Sequence, residues 1–238
     1  MKNPFRKAGP VPFALAAAAL GYVLRSIQLR GGSRLPLIAL SIVMLLLFAL
    51  CAAALEQKKQ FDEVMKPDRI SVALIVVGAV GMAVGGVMSF ASAAPMFTKI
   101  VALLSLIGSV CAALSALLRK NGGEKTMFFY VLTVLGFLLK LLWDFRGWEV
   151  DPQLSDYCYM LFAGICFLLA AYQTGAYCFG KGNRRLLAFF SLSGIAFGAV
   201  AAAGGSAQIM LYYGGGALYL LALALDSTKE QQTKNDGQ

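Results

Sequence analysis

Long apolar runs separated by short charged clusters form the dominant pattern of this chain. The segments 35–55, 70–91 and 186–225 contain no charged residue. A helix that crosses a bilayer needs about 20 mostly apolar residues, and the last of these segments is about twice that length. The short alternating strands of a transmembrane barrel are absent from the sequence. The pattern therefore predicts an all-α, polytopic membrane protein.

Turn and capping residues divide the apolar runs into eight predicted transmembrane helices. Asp68 and Asp151 are suited to cap the third and sixth helices, because their side chains accept hydrogen bonds from free backbone N–H groups. Between the second and third helices, Phe61, Val64 and Met65 share one helical face, which predicts a short amphipathic turn on the membrane surface. The predicted helices cover 11–24, 36–55, 70–91, 96–120, 127–143 and 152–178, and two more lie within 186–225 around a hairpin at 201–207.

Composition and charge agree with this topology. The chain is 59% hydrophobic and 14% charged, which is far from the composition of a soluble domain. Its net charge of +9 comes from basic residues between the apolar runs, so it indicates membrane orientation rather than nucleic-acid binding. With a cytoplasmic N-terminus, fifteen lysines and arginines lie inside and five outside. We therefore expect a cell-membrane protein with both termini cytoplasmic, one transmembrane domain over 1–225 and a disordered tail over 226–238.

Two sequence fragments recur at nearly the same offset. An R-G-x-x-x-x-P spacing occurs at 30–36 and again at 146–152, and the segments 81–87 and 194–200 are similar. The order suggests a parallel four-plus-four duplication of 1–120 and 121–225, related by a twofold axis along the membrane normal. Chance matching of glycine-rich helices is the alternative. The recurring glycines make GxxxG faces that allow close helix packing; they are Gly81, Gly85, Gly194 and Gly198.

The segment 140–160 carries most of the unusual chemistry and is the predicted outer mouth of a site. Lys140 interrupts an apolar run, and Asp144 follows it one helical turn later. One interpretation is an anchoring pair with an aromatic belt at the interface, and this belt would include Tyr212 and Tyr213. The other is an external cavity with aromatic walls that holds an organic cation by cation–π contact. The candidate site residues are Lys140, Trp143, Asp144, Arg146, Trp148, Glu149, Asp151 and Asp156.

Three arginines in and before the first outer connector break the positive-inside pattern, which suggests that acidic partners compensate for them. We expect Arg25 to reach the outer face by snorkelling. We also expect at least one of Arg25, Arg30 and Arg34 to pair with an acid of the third outer connector. The candidate acids are Asp144, Glu149, Asp151 and Asp156.

Two functions fit this sequence. The first is a small permease or solute-binding membrane subunit, with a lipid bilayer around it and a small-molecule solute as its partner. The second is a non-transporting scaffold or sensor subunit that presents the acidic outer connector to another membrane protein. An enzyme is not expected, because the chain has no histidine, no recognisable catalytic motif and no acid predicted to be buried. No metal or cofactor is expected either. A cavity reaching into the bundle would favour the first function, and a closed, flat outer surface the second.

Overall fold

Eight long helices make up the described part of the chain in a computed structural model. The structure describes residues 9–57, 61–65, 68–91, 96–119, 123–148 and 154–228. Within these ranges, it describes the backbone alone at 62–63, 123–125, 147–148 and 154–156. The described residues contain no strand, and all eight helices are long and apolar enough to cross a membrane. The predicted all-α, polytopic fold is confirmed. The helices are α1 Val11–Leu29, α2 Leu35–Ala53, α3 Arg69–Ala91, α4 Met96–Leu118, α5 Gly123–Trp148, α6 Leu154–Cys178, α7 Arg184–Ala203 and α8 Ala207–Thr228.

Six of these helices form a closed ring. Each helix from α3 to α8 packs against the next one along the chain, and α8 packs against α3 to complete the circuit. Helix α8 also contacts α6 and α1, whereas α1 and α2 lie outside the ring against α7. We call the end that carries the α1–α2, α3–α4, α5–α6 and α7–α8 connections the outer end, after the predicted orientation, and the opposite end the inner end.

The glycines of the two recurring segments lie where neighbouring helices approach closely. A Cβ atom on Gly85 would be 2.9 Å from the backbone oxygen of Gln208 on α8, and Gly81 faces the same helix. On α7, Gly194 faces α6 and α8, and Gly198 faces α8. All four glycines therefore serve close packing within the bundle, and the constraint is tightest at Gly85, where an added Cβ would meet the backbone of α8.

The helix packing does not repeat between the two halves of the chain. A twofold exchange would turn the α3–α8 contact into an equivalent contact between α7 and α4, yet among the described residues no comparable contact joins them. Similarly, α1 and α2 pack on α7, but α5 and α6 do not pack on α3 to a comparable extent. The packing thus lends no support to the duplication, and a rotational superposition of 1–120 on 121–225 stays a prediction.

Helix α1 is longer than predicted and includes a buried arginine. It continues past Leu24 to Leu29, and Arg25 is only 3% exposed. The Arg25 guanidinium donates a hydrogen bond to Gln28 at 3.1 Å and lies 5.6 Å from the centroid of the Tyr159 ring. The expectation that Arg25 snorkels to the outer face is therefore wrong, because protein contacts on α6 take the place of water and headgroups.

The short helical turn between α2 and α3 belongs to the protein core. Phe61–Val64 is helical, and Phe61, Val64 and Met65 share an apolar face as predicted. That face is buried in the main hydrophobic core and does not lie on the membrane surface. Because α2 packs on α7 and α3 packs on α8, the connector has to span the inner ends of those helices. It then enters α3 at Asp68, whose side chain accepts the predicted capping hydrogen bond from the Ile70 N–H at 3.4 Å.

Candidate functional site

A cavity of about 210 Å³ lies at the outer end of the ring, bounded by α3, α4, α5, α6 and α8. It extends from Trp143 and Gln208 near the helix ends to Ser105 on α4. Ser105 is nine residues from the first residue of that helix, which corresponds to a depth of about 13 Å. We call this space the outer cavity; its lining is Gly86, Ser89, Thr98, Val101, Ala102, Ser105, Lys140, Trp143, Asp144, Met160, Gln208, Ile209, Tyr212 and Tyr213.

A lysine–aspartate pair lies in the wall of the outer cavity. The ammonium group of Lys140 donates a hydrogen bond to the Asp144 carboxylate, since positions four apart share one helix face. Their side chains are 21% and 16% exposed. The Lys140 ammonium also lies 5.1 Å from the centroid of the Tyr212 ring on α8. Lys140 therefore points into the ring of helices, towards α8.

Aromatic and hydroxyl groups surround this pair. Tyr212 and Tyr213 are buried, their ring centroids are 5.4 Å apart, and Ser105 is within hydrogen-bonding reach of the Tyr212 hydroxyl. Trp143 packs against Phe97 of α4 with ring centroids 4.9 Å apart, which fixes one side of the mouth. The cavity thus combines one cationic group, one anionic group, aromatic faces and small polar side chains.

The structure brings part of the predicted site together. Lys140, Trp143 and Asp144 line the outer cavity, whereas Arg146 is exposed and is not part of its lining. The predicted site residues that lie outside the described side chains are Trp148, Glu149, Asp151 and Asp156. Sequence reasoning assigned Tyr212 and Tyr213 to an interfacial belt, but both are buried between helices, so that assignment is wrong.

Of the four acids predicted to pair with the outer arginines, one has a partner in the described part of the chain. Asp144 pairs with Lys140 of its own helix. Arg30 and Arg34 are exposed at the outer end, and Arg25 is buried against α6 and the α7–α8 turn. The remaining candidate acids lie outside the described side chains. A contact between any of these arginines and those acids stays a prediction.

A second polar cluster lies at the inner end of the ring and was missed in the sequence. Arg119, directly after α4, pairs with Asp226 of α8 at 2.7 Å, and the two side chains are 1% and 2% exposed. The Arg119 Nε–H donates to the Tyr130 hydroxyl at 3.1 Å, and the Ser71 hydroxyl donates to Asp226 at 2.6 Å. These four residues, which we call the inner cluster, join α3, α4, α5 and α8.

The inner cluster corrects two expectations. Asp226 was placed at the start of a disordered tail, but α8 continues through it to Thr228, and residues 229–238 lie outside the described part of the chain. Asp226 is also a buried acid, which the sequence did not predict. Burial by itself would lower the pKa of Arg119, but Tyr130 and the Asp226 carboxylate outweigh burial and raise that pKa above its ordinary value. The Arg119 guanidinium therefore stays charged.

Two neighbouring arginines close the rest of the inner end. Arg184 donates to the backbone oxygens of Ser227 at 2.6 Å and Glu56 at 3.3 Å, and Arg185 donates to the backbone oxygen of Leu55 at 2.9 Å. The last carbonyl groups of a helix have no helical partner, and a cation there is favourable. Together with the buried Phe61–Val64 turn, these bonds tie α2, α7 and α8 to one another.

The chain matches no known protein-family model, no curated protein and no solved structure. Within the described residues, no group of three or more histidine, cysteine, aspartate or glutamate side chains could hold a metal ion.

Proposed function

We propose that this chain is a small solute-binding permease whose outer mouth is the outer cavity. The observation that carries the proposal is the Lys140–Asp144 pair in a cavity between five helices. A charged side chain within a membrane helix costs about 2.5–3.5 kcal/mol on insertion scales, so such residues tend to mark solute or ion pathways. Helix packing alone would favour a filled, apolar interior at this level.

The closed inner end supports an alternating-access mechanism. The inner cluster joins α3, α4, α5 and α8 below the outer cavity, and the side chains of Phe61, Val64 and Met65 are buried in the core. This arrangement corresponds to an outward-facing state, in which a solute can enter from the outside but cannot leave on the inside. Transport would then require separation of α8 from α4 at Arg119 and Asp226, with solute binding in the outer cavity favouring that change.

A solute sensor that does not transport is the second candidate. The observation that favours it is the near-complete burial of the Arg119–Asp226 pair, because breaking such a pair is energetically expensive and a static bundle would retain it. Both candidates use the outer cavity, and they differ in whether the inner end opens.

Flux from proteoliposomes separates the two candidates. The purified protein would be reconstituted into liposomes loaded with a defined mixture of amino acids, organic cations, organic anions and sugars, and the retained solutes would be quantified by mass spectrometry. A permease should release one class selectively, and Asp144→Asn and Lys140→Gln should abolish the release. Protein-free liposomes and Lys99→Gln, at a lysine of α4 that does not line the outer cavity, serve as controls. If liposomes that contain correctly folded protein retain every solute class, the permease is rejected and the sensor remains.

A further inference from the structure

We propose that the outer cavity binds a small zwitterion, such as a neutral amino acid with one ammonium and one carboxylate group. This inference uses the site of the proposed function but does not require transport. It rests on the charges, the aromatic faces and the size of the outer cavity.

The charges of the outer cavity favour a ligand with two opposite charges. Lys140 and Asp144 are the two charged residues in its lining, so the wall carries one positive and one negative group. A simple organic cation could satisfy Asp144 only by leaving the Lys140 ammonium without its partner, and a simple anion would do the reverse to Asp144. An unpaired charge in a partly desolvated site is unfavourable. A zwitterion satisfies both groups and leaves the site neutral.

The aromatic groups indicate how the ligand would be oriented. The face of the Tyr212 ring already accepts a cation, because the Lys140 ammonium lies 5.1 Å from its centroid. When a zwitterion enters, its carboxylate takes the Lys140 ammonium, and its ammonium takes the Asp144 carboxylate and the vacated Tyr212 face. The two contacts between opposite charges are charge-assisted hydrogen bonds, which are stronger than bonds between neutral groups, and the third is a cation–π contact.

The size of the outer cavity limits the ligand. Its volume of about 210 Å³ is smaller than the roughly 300–1,000 Å³ of clefts that hold drug-sized molecules. The polar side chains near the pair, Ser89, Thr98, Ser105 and Gln208, are short or of moderate length. The cavity therefore fits a compact solute with few apolar atoms better than a peptide or a lipid headgroup with its glycerol.

The binding experiment uses matched sets of small solutes. Each set contains an amino acid, the amine obtained by removing its carboxylate, and the acid obtained by removing its ammonium group; alanine, ethylamine and propionate are one set, and sets based on glycine, serine and leucine complete the series. Purified full-length protein in nanodiscs would be titrated by calorimetry, with the shift in thermal unfolding as a second measurement. At least one amino acid should bind, and its amine and acid should each bind at least about tenfold more weakly, a factor that corresponds to ~1.4 kcal/mol.

Single-charge variants should change the preference of the site in opposite directions. Lys140→Met leaves one negative group and should favour the amine over the amino acid, whereas Asp144→Asn leaves one positive group and should favour the acid. Lys99→Met, outside the cavity lining, should bind like the natural chain. If the single variants do not fold, the double variant Lys140→Met/Asp144→Asn removes both charges and should fold but lose amino-acid binding.

Three results of the binding experiment would overturn the zwitterion site. They are an absence of binding by every amino acid in the series, equal binding by the matched amine or acid, and unchanged binding by the folded double variant. Failure of the proposed function looks different. Amino-acid binding without flux from proteoliposomes would reject the permease and keep the zwitterion site, while selective flux of another solute class would keep the permease and reject the zwitterion.

Discussion

Two ion pairs lie at opposite ends of the ring in the described part of the chain, and they differ in how far they are buried. Lys140–Asp144 at the outer end is partly exposed and lines the outer cavity. Arg119–Asp226 at the inner end is almost fully enclosed and is supported by Tyr130. The outer pair is therefore the one accessible to a solute under the proposed function, whereas separation of the inner pair would leave two buried charges without partners.

Removal of one partner of the inner pair should destabilise the protein strongly. Asp226→Asn leaves the Arg119 guanidinium buried without a counter-charge, and we expect a loss of about 3–5 kcal/mol in the free energy of unfolding. The double variant Arg119→Met/Asp226→Leu should lose less than either single variant, because no buried charge is left unpaired. Unfolding in mixed micelles measures both effects, with Arg30→Met at an exposed outer arginine as the control. Additive losses in the double variant would contradict this account.

The difference between these two pairs explains how much of the site the sequence could predict. Lys140 interrupts an apolar run and Asp144 follows at helical spacing, so both stood out. Asp226 stands at the border between an apolar run and a polar tail, where a solvated position is the simpler interpretation. Its burial depends on Arg119, which is distant in sequence and comes close only after the ring has formed. Local patterns do not contain that contact.

Helix α8 contacts α1, α3, α6 and α7, and two of its three consecutive glycines allow close approach of its neighbours. Gly215 faces α3, where a Cβ atom would lie 2.5 Å from the backbone oxygen of Gly78, and Gly216 faces the Phe167 ring of α6. Gly214 has open space around it. Close backbone approach at the α3–α8 crossing brings Tyr212, one turn away from Gly216, to the wall of the outer cavity.

Alanine at two adjacent glycines should have opposite effects. Gly215→Ala forces α3 and α8 apart, since its Cβ would also meet the Met82 N atom at 2.7 Å, and we expect a clear fall in thermal stability. Gly214→Ala adds a methyl group to open space and should be neutral or stabilising by up to about 1 kcal/mol, because alanine is the better helix former. Thermal unfolding of the two variants side by side tests the α3–α8 contact. Equal stability of both variants would contradict it.

Helix positions were predictable and helix neighbours were not. Charge-free runs and turn residues located all eight helices, and the predicted hairpin at 201–207 contains the turn between α7 and α8. Some helices extend beyond their predicted ends; α1, for example, continues through Arg25 to Leu29. The ring itself leaves little trace in the sequence. Helices that are apolar on every side show no preferred inner face. Side chains that face lipid and side chains that face other helices are similarly apolar, so the sequence does not indicate which helices are neighbours.

At the scale of the whole molecule, the orientation in the membrane is predicted by the distribution of lysine and arginine. Helix α6 carries a cysteine near each end, Cys158 and Cys178, and these provide a native test. An impermeant thiol reagent applied to intact cells should label Cys158 and leave Cys178 unlabelled. In a cysteine-free background, Ser33→Cys in the exposed first outer connector should label from outside, and Gln57→Cys at the exposed inner end should label only after permeabilisation. External labelling of Cys178 or Gln57→Cys would reverse the proposed orientation.

The last prediction concerns opening of the inner end during transport. Ser71 belongs to the inner cluster and is buried beside Asp226, so a cysteine-free protein with Ser71→Cys should resist a thiol reagent in the absence of solute. A solute can shift a conformational equilibrium only by its different affinity for the two states. The amino acid that binds the outer cavity most tightly should therefore increase the labelling rate of Ser71→Cys from the inner side if binding favours separation of α8 from α4. Gln57→Cys, which is exposed at the same end, should label at one rate with and without that amino acid. Continued protection of Ser71→Cys at a saturating concentration would show that the inner end stays closed, as expected for a sensor that binds its solute without transporting it.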